Sequence, residues 1–330
     1  MPLTMIKRWY RNLAAIYSPV MINPVLQHLK PNRLETFVDC TLGNGAHAFE
    51  IIRTHPELRQ AVGLDLDPDA VLLARPKLEA AAAGNAHLRL HFASVNFKCL
   101  KLQLNQIDPG LLQRGVDGIL MVLGLSAMQL SFFQLNTPER GFSHTMDGPL
   151  DMRFDRRSRM TAEIILNSWN ERELGRLLRD YGEEQHWQEL SHSIAETRLK
   201  KGPFKTTLQL VNFIDRRKQN LGSKPPRFED EHPALPTFQA LRIAVNDEIN
   251  TLKIAIPQAA SCLAPGGSLI VITSYGLEDR IVSGEFQRLD KRVLESEFQI
   301  AHVRPIEDLS QQISSQRSQM RVLQRLWKRT

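Results

Sequence analysis

Phe37-Val38-Asp39-Cys40-Thr41-Leu42-Gly43-Asn44-Gly45-Ala46-His47 carries an apolar run straight into a tight glycine turn, and Ala61-Val62-Gly63-Leu64-Asp65 follows close behind. A buried strand that ends in glycines lets backbone N–H groups and the next helix's N-terminus come close to a ligand. An acidic residue closing the second strand can then accept both ribose hydroxyls. Asp65 stands 20 residues after Gly45, the spacing such a pocket needs. The turn is G-x-G rather than G-x-G-x-x-G and lacks the basic side chains that meet a pyrophosphate, so S-adenosylmethionine fits it better than NAD. An ordinary strand-to-helix turn accounts for the glycines equally well.

Strand and helix patterns alternate over the first 130 residues. Residues 37–42, 61–65, 88–92 and 117–123 are short apolar strands, and helical segments such as Pro68–Ala83 separate them. This alternation predicts right-handed βαβ units and a parallel sheet covered on both faces. From about Asn136 to Pro236 the chain becomes polar and helical, with apolar residues at three-to-four spacing in Thr161–Asn167, Glu171–Tyr181, Gln185–Arg198 and Thr207–Arg217. Ser268-Leu269-Ile270-Val271-Ile272 returns to the sheet, and Gln299–Val303 with Met320–Arg325 predicts a last antiparallel pair. The organisation expected is a basic leader (1–16), a first sheet portion (17–135), a helical insertion for substrate recognition (136–236) and the completion of the sheet domain (237–330).

The chain has no apolar run long enough to span a bilayer. Lys and Arg exceed Asp and Glu by 42 to 36, a mild bias toward polyanionic partners. Cys40, Cys99 and Cys262 are scattered, which argues for a reducing compartment and against a zinc site or a disulfide framework. Residues 1–34 hold Lys7, Arg8, Arg11, Lys30 and Arg33 with no acidic residue, which suits either a plain basic leader or a truncated organelle transit sequence.

A longer set of phrases then resembles one family. Ser18-Pro19-Val20-Met21, Asp39-Cys40-Thr41-Leu42-Gly43, Glu139-Arg140-Gly141-Phe142-Ser143, Asp147-Gly148-Pro149-Leu150-Asp151-Met152-Arg153, Tyr181-Gly182-Glu183-Glu184, the run from Phe238 to Glu248, and Leu277-Glu278-Asp279-Arg280 look like the RsmH (MraW) family, in the family's order over residues 17–326. The resemblance implies a class I S-adenosylmethionine-dependent methyltransferase: an α/β, Rossmann-like fold with a mostly parallel seven-stranded sheet and an inserted helical domain. It implies N4-methylation of a cytidine in the decoding centre of small-subunit rRNA, with that rRNA or the assembling subunit as partner, and it leaves a homodimer open. No metal or membrane is implied. Ile165-Leu166-Asn167-Ser168-Trp169 and the phrase around Arg179–Trp187 are most similar to the plant plastid branch, so the expected location is the chloroplast stroma, with the mitochondrion or a bacterial cytoplasm as alternatives.

Carried over residue by residue, the resemblance assigns Gly43, Gly45, Ala46, His47, Asp65, Phe97, Val122 and Gln129 to the cofactor. Plainer readings stand beside these: His47 as a helix cap, Phe97 as a core aromatic, Gln129 as a surface residue. Ala46 replaces the family's usual glycine, a small change only if its φ is negative. Val122 stands where the family has an aspartate, Ser126-Ala127 replaces Ser-Ser, Ser131 replaces Asp, and Ser274-Tyr275-Gly276 replaces Phe-His-Ser. These departures sit at the family's active end and raise a second reading, a weakened or inactive relative that serves ribosome assembly.

Cytosine N4 is a weak nucleophile, so an enzyme must align it with the sulfonium methyl and accept hydrogen bonds from its two N–H groups. Candidate acceptors are carbonyls near Leu123, the side chains of Ser126 and Gln129, and Asp147 or Asp151. Asp151 could equally form a structural ion pair with Arg153. Arg153, Arg156, Arg157 and Arg159 make a candidate RNA surface, with Arg198, Lys200, Lys201 and Lys205 flanking it, although such runs also occur as plain solvated faces. Asn246, Asp247 and Glu248 are expected on a helix beside the cleft.

Overall fold

The apolar runs become strands because each is bounded by turn residues and buried on both faces. In the computed structural model, residues 19–30, 33–124, 138–222, 232–291, 298–301 and 318–326 are described. The strands are β1 (Thr36–Asp39), β2 (Gln60–Asp65), β3 (Arg89–Ser94), β4 (Val116–Val122), β5 (Leu263–Thr273), β6 (Phe298–Ala301) and β7 (Gln319–Arg325). Among them run α1 (Ile22–Leu29), α2 (Ala46–Thr54), α3 (Pro68–Ala82), α4 (Leu100–Ile107) and α5 (Leu111–Arg114). The helical segment supplies α6 (Ala162–Ser168), α7 (Glu171–Gly182), α8 (Trp187–Lys201), α9 (Thr207–Asn220) and α10 (Leu235–Val245), followed by α11 (Glu248–Cys262) and α12 (Gly276–Lys291).

The strands form one seven-stranded sheet in the order β3-β2-β1-β4-β5-β7-β6. Every neighbouring pair is parallel except those of β7, which runs antiparallel to both β5 and β6. This is the expected class I methyltransferase topology. Side chains alternate across the strands, so Val38, Val62, Ile119, Met121 and Val271 face one core with α4, α11 and α12. Phe37, Ala61, Leu120, Ile270 and Val322 face the other, with α1, α2 and α3. The strand order reverses between β1 and β4, and in open α/β sheets the crevice outside the carboxyl ends at such a point is where ligands bind.

Two compact units divide the chain, one of 1–128 with 250–330 and one of 129–249. The helical unit therefore reaches beyond residue 236, where the sequence pattern ends it. The reason is α10, whose Phe238, Leu241 and Val245 are buried in the same core as Leu174, Leu177 and Leu178 of α7. Its helices begin at polar caps readable in the sequence: Thr161 Oγ1 accepts the Ile164 N–H, Asn170 and Glu173 form a capping box, and Thr206 caps α9. Asn246, Asp247 and Glu248 do not share one helix as expected. Asp247 takes a left-handed φ of 50°, which breaks the chain between α10 and α11.

Candidate functional site

The glycine turn lies at the switch point and is built by backbone geometry. Gly43 and Gly45 adopt φ of 52° and 73°, a region that L side chains enter with strain. Gly45 precedes the first residue of α2, and a Cβ there would also press on Ala74 and Leu78 of α3. Ala46 is helical and does not need a positive φ, so the change from the family's glycine costs little backbone strain. The Ala46 N–H is accepted by Asn44 Oδ1 at 3.1 Å, so His47 is not the cap of this helix.

Four carboxylates, and no Lys or Arg, lie in the segments 39–47 and 63–69. Asp65 Oδ2 accepts the Gly43 N–H at 2.7 Å and its Oδ1 accepts the Asp67 N–H at 2.9 Å, which locks the end of β2 to the glycine turn. Burial pushes the Asp65 carboxyl up to about 6 despite those two N–H groups. Asp39, 2% exposed at the end of β1, is pushed by burial up to about 7, with Asp65 adding to the rise. Thr41 holds it through a backbone N–H at 3.1 Å and through its hydroxyl. Asp67 is also buried and caps α3 by accepting the Asp69 N–H at 3.0 Å. An acidic, phosphate-repelling rim of this kind fits a cationic nucleoside cofactor. Asp39 and Thr41 were not singled out as site residues from sequence, although an acidic residue closing an apolar strand just before a glycine turn is a usable signal.

His47 Nε2 meets Val20 O at 2.8 Å; because a carbonyl can only accept, that nitrogen carries the proton. Burial, with nearby Lys77 adding to it, holds the imidazole down to about 4, so the ring is neutral. Phe97 opens a short 3-10 turn after β3 and packs, partly buried, against the core on the α4 side of the sheet. Val122 ends β4 beside Ile272, with its N–H accepted by Thr41 Oγ1 at 2.7 Å and its side chain packed against the opposite core. Ser126 and Gln129, proposed from sequence for the transfer step and the cofactor, lie outside the described residues. At the end of β5, Ser274 N–H donates to Glu278 Oε2 at 3.3 Å, while Asp279 forms a two-point ion pair with Arg321 of β7 at 2.6 and 2.7 Å.

In the helical unit the Asp147–Arg153 block is a hub of internal bonds. Asp151 and Arg153 form a two-point ion pair at 2.8 and 2.7 Å. Arg153 Nη1 also donates to the carbonyls of Arg156 and Ser158 at 3.0 and 2.6 Å, so substrate contacts by Asp151 or Arg153 would compete with these bonds. Asn246 braces the same block, accepting the Phe154 N–H at 2.7 Å and donating to Met152 O at 2.8 Å. Asp147 Oδ1 accepts the Leu208 N–H at 3.1 Å, at the start of α9. Arg156, Arg157 and Arg159 are exposed, and Arg157 pairs with Asp155 at 2.8 Å. Arg198 is used internally, donating at 2.6 Å to both Leu166 O and Trp169 O at the end of α6. The helical unit carries eighteen basic and eighteen acidic residues, so the chain's positive excess belongs to the sheet unit.

Comparison with known proteins leads to the same family. The sequence model of the MraW methylase family matches residues 14–318. The ribosomal RNA small subunit methyltransferase H of Symbiobacterium thermophilum is 38% identical over 279 residues, covering 84% of this chain and 82% of that protein. That of Heliobacterium modesticaldum is 40% identical over 270 residues, covering 82% and 80%. Among solved structures, an rRNA methylase from Streptococcus thermophilus overlays with a TM-score of 0.42 at 10% identity, covering 94% of this chain and 99% of that one.

Proposed function

This chain belongs to the MraW methylase family, and we propose that it transfers a methyl group from S-adenosylmethionine to N4 of a cytidine in the decoding centre of small-subunit rRNA. The observation that carries the reading is the Asp65–Gly43 bond at 2.7 Å, which fixes an acidic residue and a glycine turn together at the switch point of the sheet. A ribose diol on Asp65, with the rest of the nucleoside along the turn, uses the lone pairs that the backbone N–H donors of Gly43, Leu66 and Asp67 leave free. When bound, the cofactor would supply an electrophilic methyl on a positively charged sulfonium, with the neutral thioether as leaving group and one N4 proton released to solvent. The carboxylates of the rim favour that charge, and the protein's remaining task is to hold N4 in line and accept its N–H groups. The target base must first be unstacked, and Arg156 and Arg159 are the exposed cations we assign to the RNA backbone.

A specific observation keeps a second reading in play. Val122 places an isopropyl group at the end of β4, so that side chain can accept no hydrogen bond from an amine. A weakened relative that binds rRNA during ribosome assembly would show this. The deciding experiment incubates purified protein and S-adenosylmethionine with small subunits lacking the modification, and maps N4-methylcytidine in the rRNA by mass spectrometry. Methyl at one decoding-centre cytidine supports the enzyme; binding without any methyl supports the assembly factor. A plastid address rests on the resemblance of 165–169 and 179–187 to the plastid branch, and an import assay with isolated chloroplasts tests it.

A further inference from the structure

His47 sits one residue into α2, beside the glycine turn, yet its side chain is committed elsewhere. Its neutral ring donates to Val20 O at 2.8 Å. The next residue, Met21, is 4% exposed and takes a left-handed φ of 53°. A non-glycine residue keeps that conformation only where its surroundings over-determine it. Two independent constraints thus fix one short segment: the bond from His47, and the burial of Met21 with Val25 and Leu29 in the core beneath α2 and α3.

The placement of α1 shows which end of the sheet this segment occupies. His28 Nε2 lies 3.1 Å from Ser268 Oγ, and Leu29 and Leu34 pack over Gly118. Ser268 and Gly118 are paired in the ladder four residues before Ile272 and Val122, so they mark the end of the sheet away from the turn. Helix α1 therefore runs the height of the sheet, and Pro19-Val20-Met21 lies at the carboxyl ends of the strands.

We propose that His47 is a positioning residue: through Val20 it fixes Pro19-Val20-Met21 as one wall of the cofactor pocket and sets how long the cofactor is retained, without touching the reacting atoms. This rests on the reading of the glycine turn as the S-adenosylmethionine site. A side-chain donor to the cofactor would need a free ring N–H, whereas here the one protonated nitrogen is spent on Val20 and the neutral ring keeps only Nδ1, an acceptor. A general base would need a pKa near the working pH, which burial denies it.

The test uses the full chain with His47→Gln, whose terminal amide can reach Val20 O, and His47→Asn and His47→Ala, which cannot. Two quantities are read: amide hydrogen exchange of the peptide around 19–25, and KM for S-adenosylmethionine against kcat. Asn and Ala should speed exchange in that peptide, leave the β4 peptide unchanged and raise KM about tenfold, the scale of one lost hydrogen bond. The kcat should stay within about twofold, and Gln should restore wild-type behaviour. A fall in kcat at unchanged KM would overturn the proposal by placing His47 in the transfer step. A weakened affinity with no change in exchange at 19–25 would overturn it by making His47 a direct ligand. If wild-type protein fails to bind S-adenosylmethionine, the reading of the turn falls with the retention role, while unchanged exchange in Ala would separately reject the clasp.

Discussion

Thr41 Oγ1 accepts the backbone N–H of Val122 at 2.7 Å, and the same threonine holds the Asp39 carboxyl through its N–H at 3.1 Å. The ends of β1 and β4 are thereby joined side by side at the point where the strand order reverses. The carboxyl group at this junction belongs to β1, and β4 contributes an apolar surface. What the site can do to a charged cofactor follows from that division.

Asp65 holds the glycine turn and, on the proposed function, the ribose. Asp65→Ala should weaken S-adenosylmethionine binding by about 1–3 kcal/mol, the scale of leaving buried donors unpaired. NAD should bind neither protein, because the rim repels phosphate. Isothermal calorimetry reads both, and an unchanged affinity in the mutant would remove Asp65 from the site.

Asp39 and Asp65 make stability and binding depend on pH. Their folded pKa values, about 7 and about 6, lie above the usual 3.8, so in the window between 3.8 and those values the folded state holds protons that the unfolded chain has released. Stability of the cofactor-free protein should therefore fall as pH rises through that window, and Asp39→Asn should flatten the slope. A cation arriving at the turn favours the carboxylates, so binding in the same window should release protons. Calorimetry in buffers of different ionisation heat measures the release; equal heats in wild type would contradict the burial of a protonated Asp39.

Arg153 and the arginines after it should separate cleanly. Arg153→Ala breaks a partly buried ion pair and two bonds to carbonyls, and should lower stability by about 1–3 kcal/mol in thermal unfolding. Neutralising Arg156, Arg157 and Arg159 together should leave stability unchanged and lower affinity for the rRNA substrate. The log–log salt dependence should flatten by roughly one for each RNA phosphate that the mutant no longer neutralises. Arg157 should contribute least, since Asp155 already pairs with it. A triple mutant with the wild-type slope would make these arginines a solvated face.

Much of this molecule was legible in the sequence where a local cause sufficed. Apolar runs between turns became β1 to β5, and the caps at Thr161, Asn170 and Thr206 start helices where the pattern begins them. The glycine turn was legible because glycine has few substitutes at a positive φ. What the sequence hid depends on contacts between distant segments. The 2.8 Å bond from His47 to Val20 joins positions 27 apart, and the Asn246 amide reaches back 92 residues to Phe154. No periodicity announces either bond. The break at Asp247 is hidden for a related reason: the apolar pattern of α10 continues into α11, and only the left-handed φ shows where one helix stops.

Val122 is the position at which activity itself is in question. Its side chain is partly buried against the core while its N–H is held by Thr41, so the backbone is fixed and only the side-chain chemistry would change on substitution. Val122→Asp would place a carboxylate beside the cofactor turn, where it could meet the cofactor's positive charge or the target amine. We expect cofactor binding or methyl transfer to improve by about 1–3 kcal/mol, the range for a hydrogen bond to a charged group. Two effects oppose the gain. Asp39 pairs with Leu120, two residues before Val122, and would share the field of a new carboxylate, and the apolar packing around Ile272 would be lost. Thermal unfolding should therefore show a lower stability in the cofactor-free mutant, recovered on adding S-adenosylmethionine. Methyl transfer to unmodified small subunits, measured in the same preparation, decides the matter. A stable mutant with no gain in either binding or transfer would clear Val122 as the limiting residue and move attention to Ser274-Tyr275-Gly276 at the end of β5.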